Sequence, residues 1–124
     1  MRILLVDDDA IVLEVMQAAL ESEGHVVSAA DGGKQAIALA DASLGGGTPF
    51  DVVITDISMP RMDGYELARN LKQKDAGLPI IAMSGWGHEV TDEGRENVDF
   101  VLTKPPRVAE LRTTLKECAA LRRS

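Results

Sequence analysis

The chain has 124 residues, 45% of them hydrophobic and 27% charged, which fits one globular domain over residues 1–124 with an ordinary core. Thirteen basic against twenty acidic residues leave a formal charge of −7, which argues against direct nucleic-acid binding. A lone Cys118 excludes an internal disulfide, and no apolar run approaches the roughly 20 residues of a membrane span, so a cytoplasmic location is expected.

Along the chain, apolar runs alternate with helix-period stretches five times, the pattern of βαβ units around a parallel sheet. A first strand is predicted over Arg2–Val6, too short an apolar run for a secretory signal. A first helix follows over Ala10–Glu23, with Val12, Val15, Met16 and Ala19 on one stripe and Gly24 as its stop. The second strand is expected at His25–Ala30, closed by Asp31-Gly32-Gly33, and the second helix at Lys34–Ala42. Gly45-Gly46-Gly47-Thr48-Pro49 reads as a surface loop, because a phosphate-cradling loop would need a lysine and a hydroxyl directly after the glycines.

A third strand is predicted at Asp51–Thr55 and a third helix at Tyr65–Asp75, with Asp63 as its cap. The fourth strand, Leu78–Met83, ends at Ser84-Gly85-Trp86-Gly87. The fourth helix, His88–Asn97, has Val90 as nearly its only apolar anchor and is interrupted by Gly94. A fifth strand at Asp99–Thr103 leads to a fifth helix at Val108–Arg122, whose buried stripe is expected to be Val108, Leu111, Leu115 and Cys118. The strands are apolar at nearly every position, as they are when helices cover both faces of a sheet.

Three of these strands end in charge. Asp7, Asp8 and Asp9 follow the first, Asp56 the third and Lys104 the fifth. In an open parallel sheet, ligands sit outside the carboxyl ends of the strands, so these groups are expected to meet in one crevice. Two carboxylates ~4 Å apart repel by a few kcal/mol at an effective dielectric of ~20. A hard divalent cation such as Mg²⁺ suits such oxygen ligands and would relieve the crowding, which outlines a phosphoryl-transfer site. Asp9 is better placed to cap the first helix than to hold a metal. His25 and His88 are not placed as metal ligands, and Trp86 sits in the loop beside the crevice.

The order of these sites resembles the receiver domain of two-component response regulators: acids after strand one, Asp56-x-x-Met59-Pro60-x-Met62-Asp63-Gly64 after strand three, Ser84-Gly85 after strand four, and Lys104-Pro105 after strand five. The resemblance implies a doubly wound α/β fold, a flavodoxin-like three-layer sandwich with strand order 2-1-3-4-5 and five helices. It implies Asp56 as phosphoacceptor, with Asp7, Asp8, Asp56 and the backbone carbonyl of Ser58 holding Mg²⁺. Lys104 would pair with the acceptor and then with a phosphoryl oxygen, the Ser84 hydroxyl would bond the phosphate, and Gly85 would leave room for the donor. A cis Lys104–Pro105 bond is expected from the same likeness.

The implied partner is a sensor histidine kinase or a histidine phosphotransfer protein. The output would pass through the face made by the fourth helix, fifth strand and fifth helix. Such a protein is a signalling switch rather than an enzyme, with no membrane or direct nucleic-acid partner. No output segment follows the fifth helix, so the chain is expected to be a stand-alone receiver or one excised from a larger protein. Two positions depart from the family pattern. Val101 stands where an aromatic is usual, with Phe100 one step away on the other side of the sheet, and Pro106 stands where Phe is common. The competing readings are a phosphorylation-independent interaction module and an aspartyl-phosphate hydrolase, which places its nucleophile after the first strand.

Overall fold

A computed structural model describes residues 1–85 and 94–123 of the chain. Five parallel strands form one sheet: β1 (Arg2–Val6), β2 (Val26–Ala30), β3 (Val52–Asp56), β4 (Ile80–Ser84) and β5 (Phe100–Thr103), in the order β2-β1-β3-β4-β5. That is the order expected. The register runs Leu4 beside Val53, Val53 beside Ile80 and Ile81 beside Phe100, so the three central strands end at nearly the same level. Because the order reverses beside β1, the crevice at the carboxyl ends opens between β1 and β3.

Alternation along each strand divides the core in two. Ile3, Leu5, Ile54, Ile81 and Met83 meet Met16, Leu20, Leu111, Leu115 and Cys118 from α1 (Ala10–Ser22) and α4 (Val108–Arg123). Leu4, Val6, Val53 and Ile80 meet Ala36, Ala40, Leu67, Ala68 and Leu71 from α2 (Gly33–Gly45) and α3 (Gly64–Lys74). Burial of the whole of β3 explains why its sequence shows no alternation.

Several helical expectations needed correction. Four α-helices, not five, stand among the described residues. Of the expected helix at His88–Asn97, residues 86–93 lie outside the described residues, and Gly94–Asn97 forms a single 3₁₀ turn. The second helix runs on through Gly45, three residues past its expected end. Val15 and Val108, expected in buried stripes, are 64% and 48% exposed. A stripe read at helical period marks a side of the helix, not how much of that side its neighbours cover.

Asp9 caps α1, its carboxylate accepting from the backbone N–H of Ile11 and Val12, and Asp63 caps α3 by accepting from Glu66 N–H. The Lys104–Pro105 bond is cis, as expected. Phe100 packs against the core shared by α1 and α4, whereas Val101 pairs with Ala82 on the opposite face, so the side-of-sheet assignment also holds. No described helix is long and apolar enough to cross a membrane.

Candidate functional site

At the carboxyl end of the sheet, Asp7, Asp8 and Asp56 each direct a carboxylate oxygen to a common point, all within 4.8 Å of one another. Asp7 follows directly on β1 and is completely buried, Asp56 closes β3 and is 5% exposed, and Asp8 faces solvent. The Lys104 ammonium lies 2.6 Å from Asp7 Oδ2 and 3.2 Å from Asp56 Oδ2. The expectation that Lys104 pairs with Asp56 is therefore met, but its shorter contact is with Asp7.

The remaining carboxylate oxygens are held by the backbone. Asp7 Oδ1 accepts from Asp9 N–H at 2.9 Å, and Asp56 Oδ1 accepts from Ser58 N–H at 3.3 Å. Asp7 and Asp56 thus each have one oxygen tethered to their own loop and one turned to Lys104.

One ammonium does not neutralise this set. Burial pushes the Asp56 carboxyl above the ordinary carboxylate range, and the neighbouring Asp7 charge pushes it further, with Lys104 only partly offsetting both. Burial opposes the charge on Lys104, yet its hydrogen bond to Asp7 and the charges of Asp56 and Asp7 outweigh that and raise its pKa. The pocket is therefore short of positive charge. An all-oxygen donor set of three acids, two of them dry, fits a hard divalent cation such as Mg²⁺.

Ser84 ends β4 beside Thr103, half-buried, with its hydroxyl 3.5 Å from the Gly85 carbonyl. The Lys104 N–H donates to the Ser84 carbonyl at 2.9 Å, which fixes the two residues side by side at the rim. Ser58 is exposed two residues beyond Asp56. Trp86 and His88 lie outside the described residues.

A family model described as the response regulator receiver domain matches residues 3–116. The chain belongs to that family. Among curated relatives, an uncharacterised 14.6 kDa protein of Leptolyngbya boryana is 33% identical over 90% of this receiver and 84% of its own length. The transcriptional regulatory protein TcrA of Mycobacterium tuberculosis is 32% identical over 93% of this receiver. Only 44% of TcrA is covered, so the receiver spans less than half of that regulator. Among solved structures, the response regulator TrrA of Thermotoga maritima, in complex with Mg(2+)-BeF, is 28% identical with a TM-score of 0.81, covering 94% of this chain and 97% of TrrA. TrrA has also been solved in complex with the histidine kinase ThkA.

Two features of the receiver's site escaped sequence reasoning. The first is the loop between β3 and α3. Arg61 takes φ 71°, a left-handed conformation uncommon outside glycine, five residues after Asp56. Gly64 then brings the start of α3 onto the acceptor's own backbone: its N–H donates to the Ile57 carbonyl at 2.8 Å. A Cβ at Gly64 would lie 2.9 Å from Ile57 Cα and closer still to the Asp56 carbonyl oxygen. The glycine was legible as part of a turn motif, but its contact with Asp56 was not.

The second feature is an apolar groove of about 360 Å³ beside Lys104, lined by Ile11, Val12, Val15, Met16, Pro105 and Pro106. The exposure of Ile11 (73%) and Val15 on α1 belongs to this groove. Pro106, noted only as a departure from the family pattern, forms part of its wall.

Proposed function

We propose that this chain is a cytoplasmic phosphoacceptor domain of a two-component relay, taking a phosphoryl group from a phosphohistidine onto Asp56. One observation carries the reading: a dry carboxylate at the end of β3 shares a pocket with two further acids, while one ammonium stands 3.2 Å from its outward oxygen. The occurrence of Mg(2+)-BeF and histidine-kinase complexes of TrrA supports it.

Asp7, Asp8 and Asp56, with the Ser58 carbonyl, would hold Mg²⁺, which would supply charge to offset the acceptor and the incoming phosphoryl group. The Asp56 oxygen attacks phosphorus in line with the imidazole, the O–P bond forms as the P–N bond breaks, and the electron pair leaves with the histidine. Lys104 then serves as a point charge for a phosphoryl oxygen, exchanging its contact with Asp56 for one with the new group. The Ser84 hydroxyl, whose bond to the Gly85 carbonyl is a long 3.5 Å, would turn inward and donate to the phosphate. A donor would approach across the groove walled by Ile11, Val15 and Pro106, which adjoins the pocket. The change in charge at Ser84 and Lys104 would then reach the face of β5, α4 and the segment before β5.

The hydrolase alternative gains nothing from the geometry. An acid pair after β1 would need Asp9 free, and its carboxylate is engaged as the cap of α1. Incubation with a small phosphodonor should label the wild-type chain only when Mg²⁺ is present, and Asp56→Asn should take no label. Label retained by Asp56→Asn would move the acceptor elsewhere.

A further inference from the structure

The acceptor's main chain is held more closely than its side chain, and by two residues with no assigned part in the chemistry. Thr55 is fully buried, and its hydroxyl donates to the carbonyl of Asp56 at 3.0 Å. Thr55 pairs with Val6, a residue of the core that α2 and α3 cover, so its side chain lies on the side where α3 begins. There Gly64, also buried, lies so close that an added Cβ would strike the same Asp56 carbonyl. Any Cβ at Gly64 would come well inside the 3.0 Å that real Cβ atoms essentially never breach, and the atoms it meets are backbone. Beyond the clamp, Ile57 N–H donates to the Met83 carbonyl at 3.1 Å, so the peptide after Asp56 is also tied to β4.

We infer that Thr55 and Gly64 are positioning residues for phosphoryl transfer. Together they fix the Asp56–Ile57 peptide and so set where the acceptor oxygen stands relative to Asp7, Asp8 and Lys104. The inference rests on the proposed role of Asp56. A hydroxyl is needed at 55 because a valine of the same shape would leave the carbonyl held from one side only. The bare Cα at 64 is needed because a methyl group would push the carbonyl away from its place. A displacement of about half an ångström at a reacting group costs on the order of tenfold in rate.

The test separates hydrogen bond from packing. Thr55→Val keeps the shape and loses the hydroxyl; Thr55→Ser keeps the hydroxyl and loses a buried methyl. Thermal melting should rank Val at or above Ser, whereas the rate of labelling by a small phosphodonor at saturating Mg²⁺ should rank Ser near wild type and Val several-fold slower. Gly64→Ala should remain folded by far-UV circular dichroism and label about tenfold more slowly, with weaker Mg²⁺ binding by calorimetry. If Val labels as fast as Ser, the clamp has no positioning role, whatever becomes of Gly64→Ala. If the wild-type chain itself takes no label and binds no Mg²⁺, the acceptor assignment fails first.

Discussion

The two ends of the sheet treat their acids in opposite ways. At the amino ends of the strands, Asp99 and Asp75 each have a cation of their own, while Asp51 accepts from the Arg2 backbone N–H. Asp99 sits 2.9 Å from Lys72 while also accepting from the Ile80 N–H, and Asp75 receives a two-pronged contact from Arg122, which also donates to the Phe50 carbonyl. At the carboxyl ends, three acids cluster, and Lys104 alone among the described residues pairs with two of them, Asp7 and Asp56. The titrations follow. The hydrogen bond from Arg122 holds the Asp75 carboxyl below the usual carboxylate range, whereas burial and Asp7 hold Asp56 above it. Paired acids fasten the fold; the crowded ones oppose it.

Substitutions can sharpen or break that contrast. The largest effect is expected at Lys104. Lys104→Met should leave the chain folded yet slow phosphodonor labelling of Asp56 by on the order of a hundredfold, the usual scale for losing one preorganised charge at a reacting centre. Labelling at the wild-type rate would show that the pocket does not depend on its one ammonium.

Next comes the amino end. Arg122→Met should lower stability by about 1–3 kcal/mol in urea unfolding, because Asp75 and the Phe50 carbonyl lose their partner. Its labelling rate should stay at the wild-type value. A slowed rate would mean that the two ends are coupled.

A smaller effect of opposite sign is expected from Asp56→Asn in Mg²⁺-free buffer. A carboxyl with a raised folded pKa contributes stability below about pH 3.9, and that contribution is lost as pH rises through the folded value. Asp56→Asn should therefore be more stable than wild type at neutral pH, with the gain shrinking as pH falls through that window. For Asp75 the sign reverses: its contribution is present above its ordinary pKa and disappears as pH drops through the depressed folded value. Parallel stability curves for wild type and Asp56→Asn would remove the crowding from the picture.

The smallest effect should come from Arg112→Gln, whose partner Glu23 joins α4 to the end of α1. The Arg112 side chain is 60% exposed, so the loss should stay below about 0.5 kcal/mol and fade with added salt.

Sequence made one end of this molecule far easier to read than the other. Runs such as Ile3-Leu4-Leu5-Val6 stop at an aspartate with no helical period yet begun, so each strand's exit and its charge appear together. The amino-end pairs join residues 27 and 47 positions apart, Lys72 with Asp99 and Arg122 with Asp75, and nothing local marks either partner. Gly45 shows a similar limit. Three successive glycines read as a break, but the helix already formed by Ala36 and Ala40 carries through the first of them. The exposure of Val15 and Val108 was not legible either, because helical periodicity marks a side of a helix and not what covers it. Thr55 reads as one more β-former in a strand, and only the arrival of α3 at Gly64 shows which carbonyl its hydroxyl holds.

The main-chain bond from Lys104 N–H to the Ser84 carbonyl has a mechanical consequence. The two rim residues are yoked through atoms common to every amino acid, so exchanging either side chain alters what the rim senses while leaving the linkage intact. Whatever tug a bound group exerts on one strand tip is thereby handed to its neighbour.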